Sequence, residues 1–167
     1  MREIRYETKL EGIDWLMPTV FLAGPTVRGN QQHLTSWRFA AIDLFKQKDF
    51  DGNLIIPEFT DRTESDKYRY DLPAWEFAGL TGAHVIMFWI PRTRELIGLT
   101  TNHEFGYWLA RDRKKMVYGR PDDAYRMKYL DIMWIEDAKR YNPIANCPIY
   151  NTLEKTVAAT LELLWTK

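Results

Sequence analysis

Three short stretches of this chain carry residue types at spacings that suit chemistry. The first is Thr100-Thr101-Asn102-His103-Glu104-Phe105-Gly106. Thr101-x-x-Glu104 has the form of a capping box, with Thr101 as the N-cap and Glu104 at the third helical position. Helix N-terminal amides favour a carboxylate there as the anion, so the pattern predicts an ionised, fixed Glu104. Such a group suits nucleophilic attack on an electrophilic carbon, the anomeric carbon of a sugar included. Gly106 would let a ligand or a neighbouring strand approach closely. The purely structural alternative is a box that only caps its helix.

The second stretch is Asp71-Leu72-Pro73-Ala74-Trp75-Glu76. Asp71 and Glu76 fall near a helix start, where carboxylates are favoured by the dipole alone. The functional reading makes one of them an acid facing a site, beside a Trp75 able to stack on a flat ring. The third stretch is Phe21-Leu22-Ala23-Gly24-Pro25-Thr26-Val27-Arg28-Gly29-Asn30. Gly24 permits a tight turn next to a ligand, and Arg28 could hold a phosphate or carboxylate. A turn whose glycines satisfy geometry alone is the structural alternative. The stretch is neither GxGxxG nor a P-loop.

Other catalytic patterns are missing. His33, His84 and His103 show no HExxH spacing, which argues against a zinc site. His103 would point about 100° away from Glu104 around a helix. His84 opens an apolar strand and reads as structural. Cys147, the single cysteine, allows no disulfide within the chain, and there is no G-x-S-x-G elbow.

These residues need elements to position them. Val20–Ala23, Leu54–Ile56, Val85–Ile90 and Met116–Tyr118 are short apolar runs stopped by Gly or Pro, and Pro148–Tyr150 is a candidate fifth strand. Leu34–Gln47, Ala74–Thr81, Thr101–Arg113, Asp123–Lys139 and Asn151–Trp165 have helical spacing. Strands alternating with helices predict a single α/β domain over residues 1–167, with a parallel sheet of about five strands in a flavodoxin-like or Rossmann-like sandwich. Residues 1–18 form an N-terminal extension outside that pattern. Ligands in such sheets bind beyond the carboxyl ends of the strands. The segments to search are therefore Gly24–Asn30, Pro57–Tyr70, Pro91–Glu104 and Gly119–Tyr125.

Composition narrows the partners. Lys plus Arg equals Asp plus Glu at 23 each, so the net charge is zero. That balance argues against a nucleic-acid binder and against electrostatic attachment to a membrane. No run of about 18 apolar residues is present, and the first residues lack the apolar core of a signal peptide. A cytoplasmic protein is expected. Seven Trp and nine Tyr suit a core, a pocket for flat ligands, or subunit interfaces.

Taken in order, the segments resemble the nucleoside 2-deoxyribosyltransferase family. The match comprises Phe21-Leu22-Ala23-Gly24-Pro25, Ser36-Trp37-Arg38, Pro57-Glu58, Trp75-Glu76, the run Val85–Ile90 with Pro91, Thr101-x-x-Glu104-x-Gly106 and Gly119-Arg120-Pro121-Asp122. It spans about Val20 to Leu130. The resemblance implies a flavodoxin-like fold and exchange of bases on 2'-deoxynucleosides without cofactor or metal. It implies Glu104 as nucleophile and Glu76, or Asp71, as the acid toward the base. Phe21, Gly24, Pro25, Arg28, Trp75, Pro91, Thr101, Asn102 and Gly106 would line the substrate site. A homo-oligomer is also implied, a neighbouring subunit often completing the pocket. The chain departs from the family where many members carry a Tyr that orients the nucleophile: the place is taken by Phe21. The loop Pro91-Arg92-Thr93-Arg94-Glu95 has no clear counterpart of the Asp some members carry.

The implied reaction is double displacement with retention, in which the deoxyribosyl group passes through an ester on Glu104. Trp75 or Trp89 could stack on the base, though a strand Trp more often packs in the core. Two other functions are open. One is hydrolysis of nucleoside 5'-monophosphates with the same nucleophile and Arg28 near the phosphate. The other is a non-catalytic nucleotide sensor on the same fold.

Overall fold

The structure, a computed structural model, describes residues 1–28, 31, 33–61, 71–142, 144 and 146–166. Gly29 and Asn30 of the first candidate loop, and 62–70 of the second, lie outside the described residues. Five strands form one sheet: β1 (Arg2–Ile4), β2 (Thr19–Ala23), β3 (Asn53–Ile55), β4 (Val85–Trp89) and β5 (Met116–Gly119). All neighbours pair in parallel, in the order β1-β3-β2-β4-β5. The helices are α1 (Trp37–Gln47), α2 (Leu72–Gly82), α3 (Leu99–Asp112), α4 (Lys128–Tyr141) and α5 (Leu153–Trp165). This is the expected flavodoxin-like α/β sandwich.

Strand side chains alternate between two cores. Phe21, Ile55, Ile86, Phe88 and Tyr118 meet Leu80 of α2, Phe105 and Trp108 of α3, and Trp134 of α4. Val20, Leu22, Leu54, Met87, Trp89 and Val117 meet Ala41 and Phe45 of α1 and Val157 and Leu164 of α5. Strands buried on both faces read as unbroken apolar runs, because every second residue faces a different helix layer. Every residue of β2 and β4 is buried.

Two expectations about the sheet are corrected. Pro148–Tyr150 is no strand: only Tyr150 bridges Gly119. Pro148 has no N–H to give a ladder, and α5 begins a few residues on. The fifth strand instead lies in the supposed extension, where β1 pairs with β3 through Arg2–Asn53, Glu3–Leu54 and Ile4–Ile55. Helical spacing alone also misplaced two helix starts. The expected start at Leu34 moves to Trp37 because the Ser36 hydroxyl caps Arg38 N–H at 3.2 Å. The expected start at Asp123 moves to Lys128, after Arg126 with φ 53° in the left-handed region.

Candidate active site

The chain leaves β2 through α1 to reach β3 on one side, while β4 lies on the other side of β2. Oppositely directed crossovers open a crevice at the carboxyl ends of β2 and β4, where such sheets bind ligands. Gly24 follows β2 with φ 153°. A Cβ on Gly24 would lie 2.2 Å from the Trp89 carbonyl oxygen and 2.8 Å from the Trp37 ring. The molecule's own packing therefore demands this glycine, independently of any ligand. Buried Pro25 wedges against Gly98, whose φ is 62° and whose added Cβ would lie 2.7 Å from Pro25 Cβ. The two loops that rim the crevice are thus locked to each other.

Arg38 fixes the first of those loops from below. Its guanidinium donates to the carbonyls of Leu22 (3.1 Å), Gly24 (2.8 Å) and Pro25 (3.3 Å) and to Thr26 Oγ1 (3.3 Å). It pairs with Glu58 at 2.8 Å, and Ser36 Oγ donates to the same Glu58 oxygen at 2.7 Å. Side-chain exposure is 1% for Arg38 and 9% for Glu58. A buried charge pair holds only when its remaining donors are satisfied, and here carbonyls satisfy them. The motifs Ser36-Trp37-Arg38 and Pro57-Glu58 are the two halves of this one network.

Glu76 on α2 and Glu104 on α3 come together above it. Burial, then the Glu76 carboxylate, push the Glu104 carboxyl up to about 8, with Arg38 acting the other way. Burial also raises Glu76, opposed by a hydrogen bond from Tyr6 and by the charges of Arg38 and Arg28. The Tyr6 hydroxyl donates to Glu76 Oε1. Among the described residues no side chain donates a hydrogen bond to Glu104.

A carboxyl pushed up to about 8, beside a second whose proton affinity burial also raises, can take up and release a proton near neutral pH. No family model and no curated protein matches the chain.

The capping box is overturned by this geometry. The N-cap of α3 is Gly98, without a side-chain cap, so Thr101 lies inside the first turn and is 1% exposed. Glu104 is the sixth residue of a helix whose first is Leu99. It is therefore beyond the amides that were expected to keep it ionised, and its proton affinity rises instead.

The other expected residues are distributed as follows. Arg28 is exposed at the rim, and its charge reaches Glu76. Trp75 is half-buried on α2; its Nε1 donates to the Thr8 carbonyl at 2.9 Å and its ring lies 4.9 Å from Tyr6. Asn102 is exposed on the first turn of α3 and accepts from Arg92, itself 5% exposed, just after Pro91. Asp71 is exposed at the N-cap of α2. Gly106 is exposed, and a Cβ there would meet nothing within 4 Å. Phe21 is buried under α2, where an added Cβ on Gly79 would touch its ring at 3.0 Å. Phe21 thus serves core packing. Trp89 is buried in the opposite core.

Tyr6 and the Arg38 network were not expected from the sequence. Glu3-Ile4-Arg5-Tyr6 does alternate charged and less polar residues, but over four positions, with the charged Arg2 breaking the pattern before it. Among the described residues no three His, Cys, Asp or Glu converge as metal ligands would, and no helix is long and apolar enough to cross a membrane.

Proposed function

We propose that this protein exchanges the bases of 2'-deoxynucleosides through a deoxyribosyl ester on Glu104. The observation that carries the reading is the coupled pair Glu104 and Glu76 at the switch-point crevice. The resemblance of its ordered motifs to the nucleoside 2-deoxyribosyltransferases supports the same roles.

In the free protein at neutral pH Glu104, pushed up to about 8, holds a proton, while burial raises Glu76 and Tyr6, Arg38 and Arg28 favour its anion. Substrate binding moves that proton to Glu76. One transfer leaves an ionised nucleophile on Glu104 and a protonated, neutral acid on Glu76. A Glu104 oxygen then attacks C1', the C1'–N bond breaks, and its electron pair stays on the base nitrogen, which takes the proton from Glu76. The second base gives its proton back to Glu76 as it displaces the ester, so the configuration is retained. The 2'-deoxy sugar lacks an electron-withdrawing oxygen and forms the cationic transition state more readily. Arg38 stays bound to its carbonyls and acts only through its charge.

The expected setting is cytoplasmic and homo-oligomeric. Exposed Phe77 on α2 and Tyr129, Ile132 and Met133 on α4 support association between copies.

The test is incubation of thymidine with adenine, followed by chromatography. Deoxyadenosine and thymine in equal amounts are expected. Thymine without deoxyadenosine would mark a hydrolase, and neither product would mark a binding module. A deoxyadenosine 5'-monophosphate preferred by more than about tenfold in kcat/KM, roughly 1.4 kcal/mol, would shift the reading to the monophosphate hydrolase. In that case Arg28, exposed beside Glu76, is the cation whose replacement by Ala would erase the preference.

A further inference from the structure

We infer that Tyr6, carried in by the segment after β1, is a positioning residue that aims the Glu76 carboxyl at the leaving base. The inference rests on the reading above for the roles of the two carboxyls. Its own ground is geometric. The Tyr6 hydroxyl donates to Glu76 Oε1 across 70 positions of sequence. Its ring is held between Phe59 and Trp75, with centroids 4.9 Å away in each case. The segment itself is tied on both sides of the ring. Trp75 Nε1 donates to the Thr8 carbonyl at 2.9 Å, and the Thr60 N–H donates to Glu7 Oε1 at 2.6 Å. A tyrosine clamped in this way fixes one oxygen of its carboxyl partner and leaves the other for the ligand.

The same bond governs where the shared proton sits. Tyr6 has one proton to give, and giving it to Glu76 favours the anion there. The charged groups acting on the pair are Arg38 from α1, Arg28 from the loop after β2, and the two carboxyls themselves on α2 and α3. Tyr6 also feels the charge of Glu104, though its hydroxyl bonds Glu76. Without it, the Glu76 anion loses its one neutral donor among these groups. The proton then moves toward Glu76, and Glu104 becomes easier to ionise.

Tyr6→Phe tests this in the full-length protein, because it removes the hydroxyl and keeps the ring in its clamp. The first readout is titration of carbon-13-labelled Glu carboxyls by NMR without any substrate. Glu76 is expected to titrate at higher pH in Tyr6→Phe and Glu104 at lower pH. The second is the split between kcat and KM for base exchange. A fall in kcat of about tenfold or more, with KM changed less than about twofold, is expected for loss of a charge-assisted bond. Unchanged titrations of both carboxyls would overturn the inference whatever the activity does. Shifted titrations in a protein that exchanges no bases would leave the control by Tyr6 standing and sink the proposed reaction instead. Tyr6→Leu, which loses ring and hydroxyl together, should give the same shifts with an added loss of stability. Shifts in Tyr6→Leu without shifts in Tyr6→Phe would assign the effect to the ring and overturn the role of the hydroxyl.

Discussion

Burial first, and then the Glu76 carboxylate of α2, raise the proton affinity of Glu104 on α3. That relationship makes stability depend on pH in an unusual direction. In the unfolded chain Glu104 has the ordinary value of 4.5, and in the folded protein it is held at about 8. The folded state therefore binds the extra proton between those limits. The contribution is fully present below about pH 4.5 and is lost as the pH rises through about 8. Melting temperature measured against pH should fall across this window in the natural protein. Glu104→Gln, which cannot ionise, should flatten the fall and melt higher at pH 9. A Glu104→Gln profile parallel to the natural one would show that the carboxyl is not strained by its surroundings.

Glu104→Ala should lower base exchange by about a thousandfold or more while the protein stays folded, since no hydrogen bond to the described residues is lost. Incubating the natural protein with a deoxynucleoside and no acceptor should add the mass of one deoxyribosyl group. Peptide mapping should place it on Glu104. An adduct on Glu76 would reverse the two roles.

Glu76→Gln should slow natural substrates by about a hundredfold or more. A nucleoside whose base leaves without protonation should be largely spared. Comparing the two substrates separates proton donation from mere orientation of the base. Equal losses for both would leave Glu76 only an orienting part.

Arg38→Met should destabilise the protein by about 3–5 kcal/mol, since it strands the Glu58 carboxylate in a buried site. Thermal melting should drop by roughly 6–20 °C. The double variant Arg38→Met with Glu58→Met should recover part of the loss, because no unpaired charge remains. If the double variant is the less stable by the full sum, the pair contributes through its carbonyl bonds alone.

Much of this architecture was legible beforehand, and the failures have physical causes. β2 and β4 were readable because burial on both faces forces an unbroken apolar run, as in Val85-Ile86-Met87-Phe88-Trp89. β1 was not, because an edge strand of three residues buries only Ile4 and leaves Arg2 and Glu3 in solvent. Glu76 and Glu104 stood out as candidates because acidic residues near helix starts draw notice. The state of Glu104 was misjudged because Thr101-x-x-Glu104 fits a cap perfectly as a pattern. Gly98, able to take φ 62°, starts the helix earlier and leaves that pattern one turn inside. Tyr6 was missed because the contact joins positions 70 apart, which no local pattern encodes.

The seat of Tyr6 next to β1 also bears on the order in which the molecule comes apart. Among the described residues β1 pairs only with β3, through three residues at one margin of the sheet. Marginal elements open locally at free energies well below that of global unfolding. Opening of β1 withdraws Tyr6 while β2, β3, β4 and β5 remain paired. Heat should therefore inactivate the protein before it denatures it. Amide exchange should be fast at Ile56, whose N–H donates to the Ile4 carbonyl at 2.8 Å, and slow along β4.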